Sequence, residues 1–254
     1  MMILLPPSET KRPGGKRGPA DPSAWALPGL LPQRQQVRDA LTALAADAEA
    51  TRRVLKLSDA QLAEAVRDNA ALADGPILPA VDRYTGVLFD ALDAGSLDGY
   101  ARRWLGAHVR IHSAPFGPVG ALDPIPSYRL GAGASVPGIP ALRRLWADAV
   151  SAELVAAAPR FVLDLRSEAY VGLGPVPEAL PSAYVRVVTA QGKALNHFNK
   201  HAKGELVRRL AQERPNITSL RTLRNWASRA GIELRVADEI RVVELVTDQA
   251  TARK

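Results

Sequence analysis

The sequence predicts an α+β protein, a compact mixed domain with a central sheet and surrounding helices, and three observations carry that expectation. Helical stretches with apolar residues every three to four positions are interleaved with short strand-like runs, without a regular βαβ alternation. Residues 161–165, FVLDL, are almost continuously apolar, as a strand covered on both faces must be, so they are placed centrally in the sheet. No repeat or linker-like segment divides the 254 residues, so 1–254 read as a single domain whose last residues, 248–254, fray.

Taken in order, residues 3–5 form a short buried strand that stops at Pro6 and Pro7, because proline cannot donate to a ladder. The polar run SETKRPGGKRGPADPS follows as a loop, with Lys11, Arg12, Lys16 and Arg17 against Glu9. Residues 33–46 and 58–67 are amphipathic helices, the second opened by Ser58 with Gln61 three positions on, the spacing of a capping box. Residues 82–92, which contain Tyr84, Thr85 and Gly86, read as a further helix, and 97–105 as another. A strand at 109–112 runs into SAPFGPVGALDPIPSYRL, where Gly117 and Gly120 have the spacing of the hairpin in a helix-hairpin-helix module, whose glycines let backbone amides reach a phosphate. Residues 142–158 form a helix that stops before Pro159, and 184–188 a weakly alternating strand. A basic helix at 193–209 closes near Pro215, and another, capped by Thr218 or Ser219, ends at Gly231. Residues 232–236 and 240–246 close the sheet as a strand pair.

Charge narrows the function. Lys and Arg number 33 against 26 Asp and Glu, and the pI near 10.0 favours a polyanionic partner. Between 193 and 229 nine Lys or Arg face only Glu205 and Glu213, so this segment alone matches the net charge of the chain, +7. On the basic helix Leu195, Phe198, Ala202, Leu206 and Leu210 form an apolar flank, with His197, Lys200, His201 and Arg208 opposite. Gly204 sits among those cations, where a close-approaching sugar-phosphate backbone would explain a residue that costs a helix about 1 kcal/mol. The absence of cysteine excludes disulfides, thiolate metal sites and thiol-based peroxide chemistry. No secretory signal and no 18-residue apolar run is found, so a cytoplasmic protein without membrane contact is expected.

Chemistry-bearing residues gather after the central strand. Arg166 and Tyr170 are placed to hold a phosphate and stack a base, while Asp164, Ser167 and Glu168 are the candidates if the protein is an enzyme. Asp148, Asp164 and Glu168 could converge on a divalent cation, although nothing in their spacing demands it. Two histidine pairs, His108 with His112 and His197 with His201, have i, i+4 spacing, but neither carries the Glu of H-E-x-x-H. No metal or other cofactor is therefore expected.

In order and spacing, ILLPPSETK, DRYTG, HSAPFGPVGALDPIPSYRL, VLDLRSEAY and HFNKHAKGELVRRL together resemble the peroxide stress protein YaaA family over most of the chain. The resemblance implies a basic cleft, a role in protecting cells and DNA during peroxide stress, and DNA binding that includes a helix-hairpin-helix-like element. Lys11, the run Tyr84-Thr85-Gly86, Tyr128-Arg129-Leu130, Ser167, Glu168 and Tyr170, and Lys200, Lys203 and Gly204 fall on its patterns. The expectation is a monomeric, non-enzymatic protein that binds duplex or distorted DNA with little sequence specificity. Its DNA-binding set is Lys11, Arg12, Tyr84, Phe116, Gly117, Gly120, Tyr128, Arg129, Arg166, Tyr170, Lys193, His197, Lys200, Lys203, Gly204, Arg208, Arg221 and Arg224. Tyr84, Phe116 or Tyr128 would contact exposed bases. The alternative is a metal-dependent hydrolase or nuclease using Asp164 and Glu168, and a third reading, iron handling, needs carboxylate or histidine ligands in one pocket.

Overall fold

A computed structural model describes residues 1–16, 18–193 and 198–247. Strand β1 (Met2–Leu5) is buried along its whole length. The polar loop leads to three helices, α1 (Leu31–Ala45), α2 (Ala48–Leu55) and α3 (Asp59–Ala70). At the start of α3 the Gln61 side-chain oxygen accepts from the Ser58 backbone N–H at 3.2 Å, the capping box its spacing predicts. Strand β2 (Ile77–Pro79), α4 (Ala80–Arg83), α5 (Val87–Leu92) and α6 (Gly99–His108) follow, then β3 (Val109–Ser113), β4 (Gly117–Gly120) and β5 (Pro124–Pro126). The second half runs α7 (Leu142–Ala156), β6 (Val162–Asp164), α8 (Glu168–Val171), β7 (Ser182–Val188), α9 (Phe198–Glu213), α10 (Leu220–Arg229), β8 (Leu234–Val236) and β9 (Val242–Val246).

Seven strands form one mixed sheet in the order β4-β3-β1-β6-β7-β9-β8, and β2 pairs with β5 in a separate ribbon. The five inner strands are parallel, while β4 and β8 run antiparallel at the two edges. The α+β architecture is as expected, and β1 and β6 lie at its centre with registers Ile3 to Leu163 and Leu4 to Asp164. Their apolar runs follow from burial on both faces. The expected closing strand pair is β8 against β9, with Leu234 opposite Leu245. Ser219, not Thr218, caps α10, since its Oγ accepts from the Thr222 N–H at 3.2 Å.

Two expected elements take another form. The helix foreseen at 82–92 is broken: α4 ends at Arg83, Tyr84 is extended, and Gly86, with φ of +94°, turns the chain into α5. A positive φ of this size favours glycine, and the break lets Thr85 N–H bond the Thr10 carbonyl at 3.2 Å. Gly117 and Gly120, expected between two helices, instead begin and end β4, buried and paired with β3 through Ser113–Gly117 and Arg110–Gly120. They are built into a β-hairpin, and the Gly120 N–H donates to the Asp123 carboxylate at 2.6 Å, so that amide is already taken by an anion within the protein. The start of the basic helix, including Leu195 and His197, Arg17 in the first loop, and the tail expected to fray, 248–254, lie outside the described residues.

Candidate functional site

The carboxyl ends of β1 and β6 release the chain at Pro6 and Leu165, and between these exits lies a cavity of about 550 Å³. Open sheets commonly place ligands here, where adjacent parallel strands let their following loops diverge. The cavity is closed by the loops 6–11 and 129–133, by Ser167, Ala169 and Tyr170 at α8, and by Asn199, Lys200 and Lys203 on the first turns of α9. Four cations from three distant segments line it, Lys11, Arg129, Lys200 and Lys203, with Glu9 the single carboxylate. A shallower cavity shares Leu55, Arg129, Leu130, Gly131 and Gly133 with it and adds Arg53 and Lys56 from the end of α2.

Lys11 is held over an aromatic floor. Its Nζ lies 4.0 Å from the centroid of Tyr128 and 5.7 Å from that of Tyr84, and donates to the carbonyls of Ser8 and Glu9, each at 3.2 Å. Burial, then the neighbouring Arg129 guanidinium, pulls its pKa down to about 7, opposed by Asp68 and Glu9. The loop is fixed from beneath by Arg83, fully buried, whose guanidinium donates to the carbonyls of Arg12 at 2.6 Å, Gly14 at 3.0 Å and Pro76 at 2.6 Å. Arg129 is set by buried Asn69, which accepts from its N–H at 2.8 Å and donates to its carbonyl at 3.0 Å. The Arg129 side chain reaches Glu9 at 3.5 Å.

Lys203 is only 3% exposed. Its Nζ lies 5.5 Å from the Tyr184 ring centroid, and no described carboxylate comes within ion-pair distance of it. Burial lowers its pKa to about 8, against the pull of Asp164. That aspartate is already committed: Arg166, fully buried, donates to its two oxygens at 2.9 and 2.6 Å, and also to His112 Nδ1 and the Gly174 carbonyl, each at 2.8 Å. Because an arginine cannot accept, His112 Nδ1 must, which fixes the neutral Nε2–H tautomer; burial and Arg166 push its pKa well below the usual histidine value.

Of the residues singled out in the sequence, Lys11, Arg129, Ser167, Tyr170, Lys200 and Lys203 therefore share one cavity. Others do not belong to it as expected. Tyr84, Phe116 and Tyr128 are buried, with the Tyr84 and Tyr128 hydroxyls 2.8 Å apart and Phe116 edge-on to Tyr128, so none offers a face to a base. Arg166 and Asp164 are bonded to each other, and Glu168 is exposed outside the lining, so no acidic pair faces the cavity. Gly204 is explained by α5: a Cβ there would meet the Leu88 carbonyl oxygen and lie 2.8 Å from the Ala91 Cβ, so it is protein backbone, not a nucleic acid, that approaches. Arg208 donates to the carbonyls of Leu92 at 3.0 Å and Asp93 at 2.8 Å, closing the carboxyl end of α5. Arg12, Lys193, Arg221 and Arg224 are exposed but outside the lining. His108 ends α6 and His112 lies on β3, so that pair does not share a helix face. Among the described residues no three His, Asp or Glu side chains gather as a metal ion would require, so Asp148 does not join Asp164 and Glu168. Sequence reasoning missed Arg53, Lys56, Arg83, Asn69 and the loop 131–133; the alternation of small residues in LGAGA was the one signal of that loop, whose glycines Gly131 and Gly133 have open space around them.

Fold and cavity together define an α+β protein with a cavity at the carboxyl ends of its central parallel strands, lined by Lys11, Arg129, Lys200 and Lys203. The chain belongs to the family described as Peroxide stress protein YaaA, which it matches over residues 1–234. It is similar to a UPF0246 protein of Corynebacterium efficiens, 39% identical over 244 residues that cover 93% of this chain and 95% of the relative. A UPF0246 protein of Streptomyces coelicolor is 42% identical over 216 residues, covering 83% and 82%. Family membership supports a role in the response to oxidative stress. No helix among the described residues is long and apolar enough to cross a membrane.

Proposed function

We propose that the protein acts in peroxide stress by binding DNA, duplex or distorted, through this cationic cleft and with little sequence specificity. The observation that carries the reading is the continuous track formed by Arg53, Lys56, Arg129, Lys11, Lys200 and Lys203, opposed by Glu9 alone. Such a track attracts phosphate by charge and carries no base identity. At about 550 Å³ the main cavity has room for a sugar-phosphate unit, which favours DNA whose backbone is distorted over a regular duplex. Tyr170, half-buried in its wall, keeps the stacking role expected of it from the sequence, while the buried Tyr84, Phe116 and Tyr128 lose theirs.

The test is a gel-shift titration of a duplex bearing an unpaired stretch, repeated across salt concentrations. Lys200→Ala and Arg53→Ala should each weaken binding roughly three- to ten-fold, uniformly across sequences, and reduce the salt slope by about one. Both side chains lie at the surface, so the fold is preserved. Unchanged affinity and slope in the double variant would remove the cleft from the binding surface.

A further inference from the structure

Lys203 is the one described cation buried in the cavity floor without an anionic partner. Arg34, Arg83 and Arg166 are also buried, but each spreads its N–H groups onto carbonyl or carboxylate oxygens. For Lys203 the acid that pulls on it, Asp164, is held on both oxygens by Arg166, the Tyr184 ring lies 5.5 Å away, and the cavity it lines also carries the apolar Leu88 and Leu165. Simple packing does not call for a lysine here. Val207 and Ala211, one and two turns along the same face of α9, are apolar and buried, and a methionine would continue that stripe without a buried amine. Gly204 lets α9 lie against the backbone of α5 immediately beside this lysine.

We propose that Lys203 is a Schiff-base lysine whose amine captures the aldehyde of a phosphate-flanked sugar, and that the sugar is the ring-opened deoxyribose of an abasic site in DNA. The choice of DNA as the source rests on the function proposed above. The step is a condensation. The Nζ lone pair attacks C1′, the carbonyl π pair moves to oxygen, and the carbinolamine loses that oxygen as water with protons from nitrogen and solvent, leaving a C=N bond. One water is released per imine, and no oxidant or reductant is consumed. Three features suit the site to it. The amine is buried at 3% exposure, which lowers its pKa to about 8 and favours the neutral, nucleophilic form more than in an ordinary lysine. Lys200 and Arg129 line the same cavity and can hold the flanking phosphates. Finally, radicals derived from peroxide strip bases from deoxyribose, so the substrate arises under the stress to which the family is tied.

Full-length protein would be incubated with cyanoborohydride and one of two probes, an oligonucleotide with a single abasic site or free 2-deoxyribose 5-phosphate. A tetrahydrofuran-site oligonucleotide, which lacks the aldehyde, measures DNA binding separately. The expected result is one covalent adduct with abasic DNA, mapped by peptide mass spectrometry to Lys203 and reduced at least a hundred-fold in Lys203→Met. An adduct on Lys203 with the free sugar phosphate alone would retain the Schiff-base role and overturn DNA as the source. Binding of the tetrahydrofuran duplex with no adduct from either probe would overturn the covalent step while leaving the DNA reading intact. An adduct on any other lysine, or one undiminished in Lys203→Met, would also overturn it. Should that variant not fold, the mapping on the unaltered protein decides.

Discussion

Arg34, Arg83, Arg166 and Lys203 are all less than 4% exposed, yet they are not equivalent. The arginines act as struts, each guanidinium tying together loops whose carbonyls would otherwise be buried unpaired; Arg34 alone reaches Phe116, Pro22, Ala26 and Pro118. No hydrogen bond or ion pair among the described residues involves Lys203, and its burial should cost stability. An unfolded chain keeps this amine charged up to about 10.5, whereas the folded protein releases the proton near 8. Between those values the unfolded state binds more protons, so stability rises with pH; below about 8 the full penalty is present. Lys203→Met is accordingly expected to gain about 1–3 kcal/mol at pH 7, and the gain should shrink as pH rises from 8 toward 10.5, followed by denaturant unfolding. A loss of stability at pH 7 would show that the amine has a partner the fold depends on.

At the scale of elements, α9 decides the geometry of the site. It packs against both α5 and strand β7, so its buried arc is wider than the single stripe read from Ala202, Leu206 and Leu210, and takes in Lys203, Gly204, Val207 and Ala211. The cationic flank is thereby divided, with Lys200 in the cleft mouth, Lys203 in its floor and Arg208 on the end of α5. Gly204→Ala separates the two explanations of that glycine. Helix propensity alone would stabilise by about 1 kcal/mol, but the added methyl meets the Leu88 backbone, so a net loss of about 1–3 kcal/mol is expected from thermal or denaturant unfolding. A gain would mean that α5 moves aside easily. Local patterns that are self-contained, such as the Ser58–Gln61 capping box and the β8–β9 pair, were legible because their partners lie a few residues away. The break at Gly86 was not, because what it serves is a contact with Thr10, far off in the chain.

Across the whole molecule the net charge of +7 says less than its placement. Six cations converge on one track from the first loop, α2, the loop after β5 and α9, while the sequence-rich cluster at Arg221 and Arg224 points elsewhere. Lys11 makes the field pH-dependent. Burial and the charges of Arg129 and Arg83 depress its pKa to about 7, with Asp68 and Glu9 opposing, so its positive charge is full well below pH 7 and lost above it. DNA affinity at fixed salt should therefore fall about two- to five-fold between pH 6 and 8.5, and Lys11→Met should make that profile shallower and move its midpoint up, leaving the part due to Lys203, which releases its proton near 8. A profile equally steep in the variant would assign the titration to another group.

The residues by themselves determined the α+β class, the burial of the strand around Leu4, the central place of the strand around Leu163, most helix positions and the family, because periodicity, caps and ordered motifs are written locally. Only the tertiary structure decided which charged and aromatic side chains meet. The identical letters K and R serve as struts at Arg83 and Arg166, as an exposed cation at the cavity mouth at Lys200 and as a buried amine at Lys203. Burial sets those differences, and burial is fixed by elements distant in sequence: Arg83 under the first loop, Arg166 on Asp164, α5 against Gly204.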